Sequence, residues 1–592
     1  MTEKNMRVPR LIAVALTLAL FVVACAPAEQ TGAGRGATAT SATGIDRLES
    51  IGQIAIGSEA AVVSVDGVAT QIGLEVLAEG GNAMDAAIAV GFALAVTHPA
   101  AGNIGGGGFM TIYVAGEDRY TTFDFRERAP SAASPDMYAD ESGQVPRSAG
   151  HVGWTAVGVP GTVAGFAKVH AELGSLPWER LVEPAVRLAR DGIALNPYLA
   201  GSLASAARRF ELYPASLKAF LRPDGTPYSI GDRLRQPDLA WSLEQIARGG
   251  TEAFYEGEIA ERLAAAMAEN GGLITMEDLA AYEAKEREPI RGTYRGYEII
   301  SMGPPSSGGV ALVEMLNILE SFELGTHDAN SPEVVHLLAE AMRQAYLDRA
   351  THLGDIDFVE VPIETLTSKQ YARDKAALIS AGRARDSLAL GAEIVTAPES
   401  METTHYSVAD AAGNLVSTTY TIEQGYGSKA MAPGTGFLLN NEMGDFNTWP
   451  GMTDGDGAIG TDPNLVAPGK RMLSSMTPTI VARDGRPVMA VGSPGGKTII
   501  NTVLRVIVNV IDFEMGLDEA VAAPRIHHQW LPDRLSLEAG FPAATVTALR
   551  AWGHDAGDPR GIQGDVHAIF IYPDGARLAV ADPRRSGAAA AY

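Results

Sequence analysis

The clearest signal in this 592-residue chain is the segment Glu402-Thr403-Thr404-His405-Tyr406-Ser407-Val408-Ala409-Asp410. Two threonines open a pattern typical of a β-strand, directly after the polar run 396–400. A threonine hydroxyl is a weak nucleophile without a base, and cleavage of the chain before the threonine frees an α-amine that can serve as one. Such an amine, with a pKa near ~8, accepts protons at neutral pH. We therefore predict that Thr403 is a nucleophile at a new amino terminus, although a Thr-Thr pair alone is more often structural.

The composition is that of a globular protein and excludes some partners. Hydrophobic residues make up 46% of the chain, and the net charge of −25 argues against nucleic acid or anionic lipid as the main partner. Residues 1–24 combine a basic start with the apolar run 11–24, which is too short to span a bilayer. This combination predicts a signal peptide.

Cys25 is the single cysteine of the chain and follows Val22-Val23-Ala24, a pattern that resembles a bacterial lipobox. We predict a lipid-acylated Cys25, a flexible tether over residues 25–44, and export to the periplasm or cell envelope. Contact with the membrane would be through the lipid anchor only. Because no other cysteine follows, disulfides, thiol catalysis and cysteine-based metal sites are excluded from the mature chain.

The periodicity of the chain changes at the Thr-Thr pair. Before it, a strand at 60–65 precedes helices at 68–79 and 83–96, and residues 160–360 are mostly helical, with amphipathic runs at 258–270 and 333–350. After it, three hairpins are predicted, with helices near 498–513 and 543–552. The strand pairs are 404–409 with 415–422, 477–482 with 487–492, and 567–572 with 577–581. Layered sheets covered by helices are the expected packing.

Several motifs follow one another in a characteristic order. They are Asn82-Ala83-Met84-Asp85-Ala86-Ala87, Thr97-His98-Pro99, Gly102-Asn103-Ile104-Gly105-Gly106-Gly107-Gly108-Phe109, Asp124-Phe125-Arg126-Glu127, Pro304-Pro305-Ser306-Ser307-Gly308-Gly309, Thr403-Thr404-His405-Tyr406, Leu439-Asn440-Asn441-Glu442-Met443-Gly444-Asp445-Phe446, Leu473-Ser474-Ser475-Met476-Thr477-Pro478 and Gly492-Ser493-Pro494-Gly495-Gly496. Over about residues 50–592 this series resembles the γ-glutamyltranspeptidase family.

The resemblance implies an N-terminal-nucleophile hydrolase fold of the α/β (α+β) class, a four-layer αββα sandwich. It implies a precursor in which the Thr403 hydroxyl attacks the carbonyl of Glu402 and cleaves the chain. The large subunit would be residues 45–402 and the small subunit residues 403–592. The two would remain a heterodimer because both form a single domain.

The resemblance also implies an activity, that of a γ-glutamyltransferase and glutathione hydrolase that needs no cofactor or metal. Thr403 would take the γ-glutamyl group from glutathione or another γ-glutamyl compound. Water or an acceptor amino acid or dipeptide would resolve the ester. Thr421 would orient the Thr403 hydroxyl, and the backbone N–H groups of Gly495 and Gly496 would face the developing oxyanion.

A γ-glutamyl group carries an α-carboxylate and an α-ammonium, so its site needs a cationic fork beside an acidic cluster. The motif matches assign the carboxylate to Arg126, Ser474 and Ser475, the ammonium to Glu423, Glu442 and Asp445, and a further hydrogen bond to Asn441. A purely structural role stays open for several of these residues. Such roles are a surface ion pair for Arg126 with Asp124 or Glu127, turn caps for Glu442 and Asp445, a tight turn for Gly495 and Gly496, and strand filling for Thr421.

One loop departs from many bacterial relatives, and two other functions stay open. Residues 449–470 match a lid loop, but Asp456 stands where those relatives have a tyrosine; the lid is then open, or Trp449 replaces the aromatic ring.

One alternative function is an acylase or amidohydrolase for another acyl group, such as a glutaryl β-lactam. The other is an unprocessed lipoprotein that only binds γ-glutamyl peptides. Neither a G-x-S-x-G elbow nor an H-E-x-x-H motif is present, and the pair His527-His528 is predicted to be structural.

Overall fold

Two seven-stranded antiparallel sheets lie at the centre of the computed structural model, which describes residues 52–146, 148–391, 403–456 and 459–592. The strands are β1 (Ile54–Gly57), β2 (Ala61–Ser64), β3 (Gly107–Val114), β4 (Arg119–Asp124), β5 (Ile193–Ala194), β6 (Arg233–Leu234), β7 (Lys285–Arg287), β8 (Ile290–Tyr294), β9 (Tyr297–Ser301), β10 (Thr404–Ala409), β11 (Leu415–Thr421), β12 (Thr479–Arg483), β13 (Arg486–Val491), β14 (Ile526–His527), β15 (Ser536–Leu537), β16 (His567–Ile571), β17 (Arg577–Ala581) and β18 (Ala588–Ala591). The first sheet has the order β18-β2-β10-β11-β3-β4-β7, and the second has the order β1-β17-β16-β13-β12-β9-β8.

Helices cover the outer face of each sheet. They are α1 (Gly67–Ala78), α2 (Ala83–Thr97), α3 (Thr162–Leu173), α4 (Trp178–Asp191), α5 (Pro197–Phe210), α6 (Pro214–Phe220), α7 (Pro237–Tyr255), α8 (Glu258–Asn270), α9 (Met276–Ala280), α10 (Gly308–Leu319), α11 (Pro332–His352), α12 (Ile363–Leu366), α13 (Lys369–Ala376), α14 (Ser387–Leu390), α15 (Thr498–Asp512), α16 (Leu517–Ala522) and α17 (Ala543–Ala551). Helices α1 and α2 pack on the first sheet; α10 packs on the second sheet and against α15.

Three apolar cores separate the four layers. One lies between the first sheet and its helices, and a second lies between the second sheet and its helices. A smaller core of alanine, branched aliphatic and tyrosine side chains, including Val63, Tyr113, Ile480 and Ile569, joins the facing sheets. The αββα prediction is confirmed, because a sheet that is apolar on both faces needs a partner layer on each side.

The elements predicted around the Thr-Thr pair are present. Strands β10 and β11 form a hairpin with Thr404 opposite Tyr420, and every residue of α2 is buried. The predicted strand at 477–482 begins two residues later, at Thr479, since Pro478 has no N–H for the sheet ladder. The signal segment, Cys25, the tether and Glu402 lie outside the described residues. No helix within the described ranges is long and apolar enough to cross a membrane.

Candidate active site

Thr403 lies directly before β10, and Thr421 is the last residue of the neighbouring strand β11. The pairing of Thr404 with Tyr420 therefore brings Thr403 beside Thr421, and their hydroxyl oxygens are 3.4 Å apart. The Thr421 oxygen also accepts a hydrogen bond of 2.9 Å from the Glu423 backbone N–H. Both threonines are buried, with Thr403 only 4% exposed.

The two hydroxyls face a small pocket in which the space between atoms, open solvent included, is about 270 Å³. The residues that line it are Arg126, Thr403, Thr421, Glu423, Glu442, Asp445, Ser474, Ser475, Met476, Gly496 and Ile499. The structure therefore brings together nine of the residues predicted for the site. Gly495 adjoins Gly496 in the chain, whereas Asn441 is not among the described lining residues.

Arg126 lies at the centre of a buried charge cluster. Its Nη1 is 2.6 Å from Glu442 Oε2 and 3.5 Å from Glu127 Oε2, and its Nη2 pairs with Asp445. Burial favours a lower pKa for Arg126, but these three carboxylates together carry the pKa above its ordinary value. Arg126 is 1% exposed, so its ion pair with Glu127 is present but is buried and does not lie at the surface.

Glu423, Glu442 and Asp445 form one acidic wall of the cavity, where carboxylates outnumber positively charged side chains. Burial raises the pKa of Glu442 well above its usual range, although Arg126 opposes this shift, and burial raises the pKa of Glu423 to about 7. Among the described residues, Glu442 Oε1 and Glu423 Oε1 are buried without a hydrogen-bond partner. Buried polar oxygens are normally satisfied. An incoming ammonium, with three N–H donors and a positive charge, has the chemistry to satisfy both.

The loop that carries Glu442 and Asp445 is held by two asparagines. Asn440 Oδ1 accepts the backbone N–H groups of Gly158 and Glu442, at 2.8 and 3.1 Å. The Asn441 side chain accepts from the backbone N–H of Gln424 and donates to a backbone carbonyl of a neighbouring loop. These contacts position the acidic wall, and the prediction that Asn441 contacts the substrate stays a prediction.

The two predicted serines line the same cavity and are fixed by hydrogen bonds. Ser474 Oγ accepts from the Met476 backbone N–H at 3.1 Å, and Ser475 Oγ accepts from Arg349 Nη2 at 3.2 Å. Arg349, in α11, also donates to Ser307 Oγ at 2.9 Å. A serine hydroxyl that accepts a hydrogen bond can also donate one through its own O–H.

The Gly495-Gly496 turn leads into the amino terminus of α15. Both glycines have positive φ angles, +134° and +54°, which residues with a Cβ rarely adopt. A Cβ on Gly495 would come within 2.4 Å of Thr498 Oγ1. The turn therefore requires glycine, and it places backbone at the cavity wall, where a helix amino terminus favours negative charge.

Sequence reasoning missed two residues of this site, Arg349 and His151, and gave Glu127 only as a possible surface partner of Arg126. Glu127 is buried beside Arg126, and Arg349 supports Ser475. His151 Nδ1 lies 3.3 Å from Glu423 Oε2. Glu127 belongs to one of the family motifs, but His151 follows a glycine in an irregular loop where no periodicity marks it.

The described residues give little support for a bound metal ion or for a lid over the cavity. His336, Glu340 and His554 approach one another closely enough to bind a metal. However, Glu340 already pairs with Arg343 and Arg385, whose charges oppose a cation. His527 and His528 are hydrogen-bonded within the core, in line with a structural role. Neither Trp449 nor Asp456 is among the described lining residues of the cavity.

An αββα sandwich with a threonine at the edge of a central strand, facing a charged cavity, defines an N-terminal-nucleophile hydrolase. A cephalosporin acylase from Bacillus halodurans has this fold, with a TM-score of 0.81 and 27% identity over 94% of this chain and 99% of that one. A γ-glutamyltranspeptidase from Helicobacter pylori is 46% identical, with a TM-score of 0.52 over 53% of this chain and 89% of that one.

Sequence comparison gives the family. The glutathione hydrolase proenzyme of Escherichia coli strain K12 is 47% identical over 523 residues, which is 88% of this chain and 90% of that protein. The profile of the gamma-glutamyltranspeptidase family matches residues 69–592. The chain belongs to the γ-glutamyltranspeptidase family, and the prediction from its motifs is confirmed.

Proposed function

We propose that Thr403 is the nucleophile of a self-processing γ-glutamyltransferase and glutathione hydrolase. The observation that carries this assignment is the pairing of the Thr403 and Thr421 hydroxyls at one side of a cavity that also contains Arg126 and the acidic wall. The membership of the family supports the activity, and the cavity supports the choice of residues.

Maturation begins when the Thr403 oxygen attacks the carbonyl carbon of residue 402. The peptide C–N bond breaks as the C–O bond forms, and the nitrogen takes a proton to become the free α-amine of Thr403. Water then hydrolyses the ester between the two segments. The new amine supplies the base that an N-terminal threonine requires.

Catalysis repeats the same chemistry on the donor. The α-amine takes the Thr403 hydroxyl proton as the oxygen attacks the γ-amide carbonyl, and it returns a proton to the leaving amine, such as that of cysteinylglycine. The Gly495-Gly496 turn offers N–H groups to the oxyanion, and a donor of this kind typically contributes about 3 kcal/mol to catalysis. Water or an acceptor amine resolves the γ-glutamyl ester.

When the donor binds, ion pairs between protein side chains are replaced by ion pairs between the protein and the donor. The α-ammonium binds Glu423, Glu442 and Asp445, while the α-carboxylate binds Arg126 and the hydroxyls of Ser474 and Ser475. Because Arg126 already pairs with Glu442 and Asp445, a zwitterionic donor keeps each buried charge beside an opposite one. A neutral or singly charged acyl group leaves one of them uncompensated.

Export and lipid acylation at Cys25 are the finer parts of this proposal. They are supported by the apolar run 11–24, the lipobox-like residues and the single cysteine. Intact mass spectrometry of the mature protein tests the acylation and the cleavage at the Glu402–Thr403 bond together.

Thr403→Ala tests the nucleophile, with Thr403→Ser as its matched control. We expect the alanine variant to remain one chain and to lose turnover of a γ-glutamyl anilide, while serine retains slow cleavage and slow turnover. A denaturing gel and the anilide assay are the measurements. An alanine precursor that still splits, or still turns over the anilide, would refute the assignment, and an uncleaved wild-type chain would favour the binding lipoprotein.

The structural similarity to a cephalosporin acylase keeps the acylase alternative worth testing. Sites built for a substrate N–H reject analogues that lack it by about 10⁴-fold in favourable cases. We expect γ-glutamyl anilide to exceed glutaryl anilide, which lacks the ammonium, by about 10²-fold or more in kcat/KM. Equal rates on the two anilides would favour the acylase.

A further inference from the structure

His151 lies in the loop between β4 and α3 and contacts both Glu423 and the loop that carries Glu442 and Asp445. Its Nδ1 is 3.3 Å from Glu423 Oε2, and its backbone carbonyl accepts a hydrogen bond of 3.1 Å from Asn441 Nδ2. Its ring lies directly on Gly444, where a Cβ would come within 2.1 Å of Nδ1. His151 therefore packs against the loop of Glu442 and Asp445 while it binds Glu423.

Glu423 is held in an unusual conformation. Its φ angle is +74°, which is uncommon for a residue with a side chain, and such angles persist where the surroundings impose them. The backbone N–H donates to the Thr421 hydroxyl, so this residue is tied to the catalytic threonine pair. One carboxylate oxygen faces His151, and the other lacks a hydrogen-bond partner among the described residues.

We propose that His151 is a positioning residue that holds Glu423 with its second oxygen directed at the α-ammonium of the donor, and that it makes donor binding depend on pH. This inference rests on the proposed function. It adds a residue and a regulatory consequence to the donor site, and it leaves the role of Thr403 unchanged.

The charges around Glu423 give the direction of the effect. Burial raises the pKa of Glu423 to about 7, while His151 and Lys429 lower it and Asp445 raises it. The pKa of the nearby Glu442 is in turn raised in part by Glu423. Glu423 thus gains its negative charge near neutral pH and loses it as the pH falls. Without the imidazole, Glu423 ionises at higher pH, and ammonium binding begins at higher pH.

His151→Gln tests this coupling, with His327→Gln, at an exposed position, as the control. The measurement is the inhibition constant of glutamate and of glutarate against γ-glutamyl anilide turnover, from pH 5 to 9. We expect the acid limb for glutamate to move upward by roughly 0.5–1 pH unit in His151→Gln. Glutarate, which has no ammonium, should show no such shift, and His327→Gln should match the wild type.

An unchanged limb for glutamate, or an equal shift for glutarate, would overturn the inference, since a merely structural residue affects both ligands alike. Should His151→Gln fail to mature, Glu423→Gln decides the matter. Without a titrating carboxyl, the glutamate limb near pH 7 should disappear, and its persistence would overturn the coupling. In each of these outcomes, the comparison of wild type with Thr403→Ala still tests the proposed function separately.

Discussion

The position of the Thr421 hydroxyl beside Thr403 depends on the register of strands β10 and β11. The two side chains face the space between the sheets because alternate residues of a strand point to opposite faces. Thr421 Oγ1 accepts hydrogen bonds from the Thr403 hydroxyl and from the Glu423 backbone N–H, and these contacts fix the position of the two threonine oxygens.

Thr421→Val keeps the shape of the side chain and removes its hydroxyl. We expect kcat for γ-glutamyl anilide to fall about 10²-fold, the size of effect seen when one preorganised donor is lost, and processing to slow. Thr418→Val, on the same strand but the opposite face, is the matched control and should retain nearly full kcat. A Thr421→Val enzyme with wild-type kcat would show that the pair has no catalytic role.

Single residues of the site differ in how far sequence could predict them. Arg126 was assigned through a motif, yet its pairing with Asp445 joins positions 319 residues apart. The contact between His151 and Glu423 spans 272 residues and left no local signal. Periodicity reports which face a residue occupies, and it carries no information on which distant loop covers that face.

The turn between β13 and α15 is the element most sensitive to a change of backbone. Its sequence, Ser493-Pro494-Gly495-Gly496, combines a residue with fixed φ and two residues that accept positive φ. Ser493 Oγ accepts the backbone N–H of Asp565 at 2.9 Å, so the turn is also tied to the strand region before β16.

Gly495→Ala should strain this turn. A Cβ at φ +134° that meets Thr498 Oγ1 costs about 1–3 kcal/mol, and relief of the strain would move the N–H groups away from the oxyanion. If strain of this size raises the activation barrier, kcat should fall by about 10-fold or more. Gly485→Ala, at φ +77° in the β12–β13 turn with open space around it, should lower stability slightly and leave kcat unchanged. Equal kcat for the two variants would contradict the assignment.

At the scale of the whole molecule, each sheet contains strands from both sides of residue 403. In the first sheet, β10 and β11 lie between β2 and β3, and in the second, β12 lies beside β9. Separation of the two segments would break several strand pairs and expose the apolar core between the sheets.

We therefore expect the two chains of the cleaved protein to co-elute in gel filtration without denaturant and to unfold together. Urea should remove activity and release both chains in a single transition, because neither segment retains a complete sheet. The uncleaved Thr403→Ala precursor should elute at the same volume. Separate elution of two folded chains in native buffer would disprove this association.

The amino-acid sequence by itself determined the class of fold, the hairpins, the buried helix α2 and the family, since strand alternation, turn residues and ordered motifs are local properties of the chain. Tertiary structure alone decided that Arg126 is buried among Glu127, Glu442 and Asp445 and that His151 binds Glu423. Those contacts join loops that meet only after the sheets have stacked, and the pKa values of the acids follow from that burial.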